Sequence, residues 1–397
     1  MNRLDTLVNQ YESTVLEYWH WLHAHPELSG EEKESAAYIA AALRRMGLEP
    51  VEGIGGYGVV ALIEGKAPGK CVGLRADFDA LSVEELTGLP FASLYPGKMH
   101  ACGHDAHAAM LLGTAHVLTQ MRDCFSGTVK LIFQPSEENS ADSGAVRMIA
   151  DGVLENPKVD AIFGQHVAGS HELGEISLRS GAMSAASDRF FINITGKSCH
   201  ASRPDKGIDA ITISAQIISA LQNIISRTVS PFDNSVISIG KIVGGTRYNV
   251  GAETCEMEGT CRNLNPEVRD VIPARMEAII KGIAEGMGAE YSFKYIRGHA
   301  PMINTPEMAD LVFECGDEMF GKDNVKRLEH AGMGGEDFAF FVQKVPGAYY
   351  YLGVHEEGTP RWPAHNGHFA PTEAALKLGV RFMATLALKY LDRYENA

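Results

Sequence analysis

The sequence predicts an α/β protein of two domains: a sheet with helices on both faces, interrupted by a smaller α+β domain. Three observations predict it. A chain of 397 residues is too long for one ordinary core. Apolar runs bounded by glycine and polar turns, GVVALIEG (58–65), KCVGLRA (70–76), TVKLIFQ (128–134) and DAIFGQHV (160–167), alternate with helical stretches such as AHAAMLLGTAHVLTQM. Near residue 186 the order changes to strand, helix, strand, strand, helix, strand, which is the split ferredoxin-like unit, complete in about 110 residues.

The elements follow in order. Leu4, Leu7, Val8, Tyr11, Val15 and Trp19 recur at helical spacing, and a second helix is expected after Ser29, with Ser29 and Glu32 as a capping box and Gly47 as its stop. The four apolar runs supply the strands of the first domain. DRFFINITG opens the insertion, followed by a helix over 205–228, the strands SVISIGKIVGG and AETCEMEGTCR, a helix over 266–287 and the strand EYSFKYIRG. From about 300 the pattern returns to helix and strand, including GAYYYLGVH (347–355) and a closing helix from 372. The expected boundaries are 1–185 with 299–397 for the discontinuous large domain, and 186–298 for the insertion.

Composition narrows the partners. Fifty acidic residues against 35 basic give a net charge of −15, and no run of lysines or arginines offers a phosphate-binding surface, so nucleic acid is not expected. The start, MNRLDTLVNQYESTVLEYW, is charged where a signal peptide carries an apolar core, and no stretch approaches a membrane span; the expectation is a cytoplasmic protein with no membrane partner. The seven cysteines form no C-x-x-C pair, and Cys102 stands out by its neighbours.

MHACGHDAHAAM (99–110) packs His100, Cys102, His104, Asp105 and His107 into eight positions. Three strands are expected to deliver further polar groups just past their carboxyl ends: LRADFDAL gives Asp77 and Asp79, LIFQPSEE gives Glu137 and Glu138, and IFGQHV gives His166. Sites in open α/β sheets lie at that edge. A thiolate with imidazoles suits a divalent transition metal, and Cys102 and His104 share a side if their segment is extended or a turn. A metal hydrolase needs one carboxylate on the ion and another to take a proton from water and return it to the leaving group; Glu137 is assigned the second role. In RWPAHNGHF, His365 or His368 can complete the ligand sphere. The Gly196-Lys197-Ser198 run is no phosphate loop, because position 191, where the first glycine would fall, is Phe. A cysteine nucleophile at Cys102 would leave the Glu pair unexplained.

In these residues the chain resembles the aminoacylase and carboxypeptidase-like family of binuclear metallohydrolases, in the amidohydrolase branch of hippurate hydrolases and plant auxin-conjugate hydrolases. The matching motifs are HPELSGEE, RADFDAL, MHACGHDAH, FQPSEE, GQH, GKSCHASRP, GGEDF and HNGHF, in this order over nearly the whole chain. The resemblance implies that Cys102, His104, Glu138, His166 and His365 bind two divalent ions (zinc, manganese, nickel or cobalt), with Cys102 between them, and that Glu137 is the general base. It also implies that the insertion is a lid and dimerisation domain. From it His200 would polarise the scissile carbonyl, in its own or a partner's site, while Asn249 and Arg262 hold the substrate carboxylate. His100, Asp105 and His107 would support the ligands. Relatives commonly read Asn-Val-Ile-Pro where this chain has Asn249-Val250-Gly251-Ala252, and the glycine is expected to loosen that backbone.

The expected activity is hydrolysis of the amide bond of an N-acyl or N-aroyl amino acid, hippurate-like, to a carboxylic acid and a free amino acid. A homodimer is expected from the resemblance. A dipeptidase or aminoacylase acting on short peptides uses the same machinery, and a metal-holding binding module would keep the ligands without needing Glu137.

Overall fold

The computed structural model describes residues 3–395. The chain divides into two compact units, Met1–Met183 with Ile303–His330 and Asp337–Ala397, and Ser184–Met302 with Ala331–Glu336.

Among the described residues, eight strands form the sheet of the large unit, in the order Val51–Ile54, Gly58–Glu64, Thr128–Gln134, Cys71–Asp77, Ala161–Glu172, Gly347–His355, Ile176–Leu178, Val325–Arg327. The central four are parallel. Every residue of Cys71–Asp77 is buried, as expected of a strand covered on both sides. Adjacent residues of Ala161–Glu172 identify the two coverings. A Cβ at Gly164 would meet Phe338 of the Phe338–Val342 helix, whereas Gln165 on the opposite face reaches Met110 of the His104–Thr119 helix. The His104–Thr119 helix buries all but His116 and Thr119, because helices Arg3–Ala24 and Glu373–Arg393 pack against it. A helix enclosed in this way is buried all round and not amphipathic. Gly347–His355 pairs in parallel with Ala161–Glu172, so the last part of the chain completes the sheet that the first part starts.

The second helix, Lys33–Arg45, follows the prediction at its end, where Gly47 takes φ +78°, but not at its start. Neither Ser29 nor Glu32 caps it. Ser29 Oγ donates to Asp79 Oδ2 (2.7 Å), and the Glu32 carboxylate accepts from Ser136 instead of from the helix backbone. Tertiary partners took both side chains; the carboxylate of Glu27 accepts the amides of Glu34 and Ser35 in their place.

In the small unit the strands Ala186–Thr195, Ser235–Gly244, Thr254–Asn263 and Glu290–His299 form an antiparallel sheet in the order Ser235–Gly244, Thr254–Asn263, Ala186–Thr195, Glu290–His299. Helices Ala210–Arg227 and Pro266–Gly286 complete the βαββαβ order. Alternate residues Phe190, Ile192 and Ile194 face Ile213, Ile217 and Leu221 of one helix and Ile272, Met276 and Ile280 of the other in a single apolar core.

One buried carboxylate closes this unit. Asp188 accepts from Arg269 Nη2 (2.6 Å) and Nε (3.0 Å), from the Tyr295 hydroxyl (2.9 Å) and from the Gly298 amide (3.0 Å). Asp188→Ala leaves the buried Arg269 guanidinium without its counter-charge. It is expected to lower stability by roughly 3–5 kcal/mol, measured by urea unfolding of the full chain.

Candidate metal centre

The parallel register of Cys71–Asp77, Thr128–Gln134 and Ala161–Glu172 brings Asp77, Gln134 and His166 to one level of the large sheet. There the ligand atoms of Cys102, His104 and His166 lie within 4.8 Å of one another, as do those of Cys102, Glu138 and His365, and those of His104, Glu137 and Glu138. Two donor triads thus share the Cys102 sulfur. Cys102 Sγ is 3.3 Å from His166 Nε2, and Glu138 Oε1 is 3.2 Å from His365 Nε2.

Each donor has a local reason for its place. Cys102 lies in a turn, and Gly103 then takes φ +86° to start the helix at His104. Only glycine fits there, since a Cβ would stand 2.4 Å from Val167 Cγ2. His166 does not lie past a strand end as expected but inside Ala161–Glu172, which runs on for six more residues. Its imidazole still faces the site because the pleat of that strand turns it there. His365 occupies the left-handed region at φ +66°, held by its amide on the Ala101 carbonyl (2.7 Å).

Hydrogen bonds set which ring nitrogen is free. His166 Nδ1 donates to the Val167 carbonyl (2.7 Å), which leaves Nε2 for the site. His104 Nδ1 donates to Asp79 Oδ1 (3.0 Å), and its Nε2 is buried with no hydrogen-bond partner. Glu138 Oε1 is likewise buried and makes no well-aligned hydrogen bond, although His365 is close. Orphaned donors of this kind, one nitrogen and one oxygen beside a sulfur, fit divalent transition metal ions.

The electrostatics agree. Burial pushes the Cys102 thiol up to about 12, so its thiolate needs a cation beside it. Burial lowers His166 to about 4 and keeps it neutral, the ligating form. Burial also opposes charge on His104, but Asp77 and Cys102 more than offset it and hold this group well above its usual range, the mark of an electronegative pocket.

Asp77, His104 and His107 also approach one another. They make a poor ligand set, because His107 Nδ1 donates to Asp77 (2.6 Å) while its Nε2 accepts the Val167 amide (2.9 Å). His107 therefore steadies the backbone beside His166. Asp105 turns away from the site to accept from Trp19 (2.8 Å) and His23 (2.6 Å), and the buried His100 ring has no hydrogen-bond partner among the described residues. The orienting carboxylate for His104 is Asp79, a role the sequence reading did not assign.

In the small unit His200 and Asn249 come together, because Cys199–His200 pairs with Val250–Gly251 and the Ala201 amide donates to the Asn249 carbonyl. Gly251 packs closely in this ribbon: a Cβ there would stand 2.9 Å from Cys199 Sγ. Arg262 is elsewhere. It pairs with Ser187 at one end of Thr254–Asn263, whereas Thr254, at the other end, pairs with Thr195 just before the ribbon. Eight residues of strand separate them, roughly 25 Å. Arg262 donates to Thr260 Oγ1 (3.2 Å) and the Met333 carbonyl (3.4 Å), so Asn249 and Arg262 do not form one anchor within one copy of this unit.

A doubly wound sheet with this cluster at its carboxyl edge defines a class of metal-dependent hydrolases, and the comparisons name it. Residues 73–389 match peptidase family M20/M25/M40, and the chain belongs to that family. It is similar to thermostable carboxypeptidase 1 of Saccharolobus solfataricus (39% identical over 396 residues, 99% of each chain) and to an N-acyl-L-amino acid amidohydrolase of Geobacillus stearothermophilus (40% over 328 residues, 83% of this chain and 86% of that one). Among solved structures it resembles the Bacillus subtilis YXEP protein, described as a dinuclear metal binding peptidase from the M20 family. That likeness has a TM-score of 0.83 at 36% identity, covering 97% of this chain and 99% of the other. Among the described residues no helix is long and apolar enough to cross a membrane.

Behind the cluster, His23 bridges Asp105 (2.6 Å) and Glu85 (3.1 Å). Burial alone would lower its pKa, but the two carboxylates outweigh it and raise the group from 6.5 to about 10. The folded value exceeds the unfolded one, so this contribution to stability is fully present below pH 6.5 and disappears as pH rises through about 10. Unfolding free energy measured from pH 6 to 10 is expected to fall, and to fall less in His23→Gln.

Proposed function

We propose that the chain hydrolyses the amide bond of N-acyl or N-aroyl amino acids, hippurate-like compounds among them, releasing a carboxylic acid and the amino acid. The observation that carries this reading is the meeting of two donor triads on Cys102 with a second buried carboxylate, Glu137, beside Glu138. Cys102, His104, His166, Glu138 and His365 would hold two divalent ions, of zinc, manganese, nickel or cobalt. When bound, such ions supply Lewis acidity, lowering the pKa of water and drawing charge from a carbonyl oxygen.

The remaining chemistry belongs to side chains. Glu137 takes the proton as water adds to the carbonyl carbon and returns it to the amine nitrogen as the C–N bond breaks. His200 donates to the developing oxyanion, and Arg262 donates to the substrate carboxylate through its guanidinium fork. The ribbon of His200 and Asn249 follows the Thr254 end of a strand whose Arg262 end is roughly 25 Å away, further than an acyl amino acid reaches, which favours supply of these groups to one substrate by two copies of the chain. We therefore propose a homodimer whose lids exchange these groups. The edge strand Ser235–Gly244 supports it, with exposed Ile242 and Val243 and with Phe232 and Tyr248 almost fully exposed beside it. A short-peptide dipeptidase remains the competing substrate class, favoured by the likeness to a carboxypeptidase.

Elemental analysis with a panel of hippurate, acetyl-amino acids and dipeptides, before and after chelation and metal return, tests the reading. The expected result is metal-restored cleavage of acyl amino acids, loss of metal in Cys102→Ala, and a fall of roughly 10²–10⁴-fold in kcat with metal retained in Glu137→Gln. Bound metal with parental function in Glu137→Gln would point to a binding module. The dimer has its own test. Mixing inactive His200→Ala with inactive Arg262→Ala is expected to restore activity after subunit exchange, to roughly a quarter of the parental level, because each mixed dimer contains one intact site.

A further inference from the structure

The HPELSGEE segment carries no ligand or base, yet its Glu32 is completely buried at the turn that presents Glu137 and Glu138. After Thr128–Gln134 ends, Pro135 is followed by Ser136 at φ +54°, a left-handed conformation that a residue with a Cβ seldom adopts unless neighbours enforce it. Glu32 Oε1 accepts both the Ser136 amide (2.8 Å) and its hydroxyl (3.0 Å), while Oε2 accepts the Gly30 amide (2.8 Å). On the far side the Ser136 carbonyl accepts the Gly144 amide (3.1 Å), and Asp79 accepts the Glu138 amide (3.0 Å).

We infer that Glu32 is a positioning residue: its carboxylate clamps Ser136 in the left-handed conformation and so aims the Glu137–Glu138 pair into the site. The inference rests on the roles proposed above for those two residues. The clamp needs both carboxylate oxygens. A glutamine whose carbonyl faced Ser136 would turn its NH2 towards the Gly30 amide, donor against donor. Misaiming a base costs turnover more than binding, since KM also draws on groups far from this turn.

The test compares Glu32→Gln, Ser136→Val, Ser136→Gly, the Glu32→Gln/Ser136→Gly double variant and Glu137→Gln on the acyl amino acid that the parent cleaves. Ser136→Val leaves Glu32 intact but places a β-branched residue at positive φ, and it carries the test if Glu32→Gln does not fold. Glu32→Gln and Ser136→Val are expected to lower kcat roughly 10- to 100-fold with KM within about threefold. Glycine adopts left-handed φ without a clamp, so Ser136→Gly should stay near parental, and the double variant should recover much of the loss. Hydrogen exchange in chelated protein gives a readout apart from turnover: the Ser136 amide should exchange faster in Glu32→Gln, with the amides of Cys71–Asp77 unchanged. Loss in Glu137→Gln with parental kcat in both Glu32→Gln and Ser136→Val overturns the inference alone, as does a strictly additive double variant. Parental kcat in Glu137→Gln overturns the reading beneath it.

Discussion

The Asp79 carboxylate joins three segments that the chain keeps far apart. One oxygen accepts from the His104 ring; the other accepts from Ser29 near the amino terminus and from the Glu138 amide beyond Thr128–Gln134. Asp79 is buried, and these bonds to its charged form outweigh the burial penalty and hold its pKa below the usual carboxylate range. Orienting His104 and tethering Glu138 through one group means that neither donor can shift without the other responding. The arrangement exists only because Cys71–Asp77 and Thr128–Gln134 run parallel, with Asp77 opposite Gln134.

Burying so much charge beside the candidate metal centre requires a second tier of partners. Arg75, fully enclosed in its strand, donates to Gln134, Asp77 and Asp337, and Asp337 in turn accepts from Gln134 and Ser143. The network spans the strand that leads to Asp79, the strand that leads to the Glu pair, and the GGEDF segment near the end of the chain. Buried ion pairs contribute little net stability, because desolvation offsets much of the attraction. What they supply here is geometry, since each carboxylate has one arrangement that satisfies its donors.

The candidate ligands were legible in the sequence because a metal site is written in residue types, and the structure brings those residues within reach of one another. Cysteine, histidine and glutamate just past apolar runs have few other reasons to cluster, and the choice of His365 over His368 came from the resemblance. The supporting residues were less legible. Ser29 and Glu32 matched a helix-cap pattern, a local rule, and the structure uses both for contacts 50 and 104 residues away. Asp105 sits within the densest part of the motif, yet its bonds go to Trp19 and His23.

The sequence by itself determined the βαββαβ order of the inserted unit, the types of residue that could serve as ligands and the class of chemistry, because periodicity and side-chain type are properties of short segments. Only the tertiary structure decided that His166 faces the site from inside a strand, that Gly251 packs against the sulfur of Cys199, and that the ribbon beside Asn249 follows one end of the small sheet while Arg262 sits at the other. The physical reason is register. A sequence states how many residues a strand contains, but which ends meet is settled by the pairing of distant backbones and by the buried carboxylates that hold them.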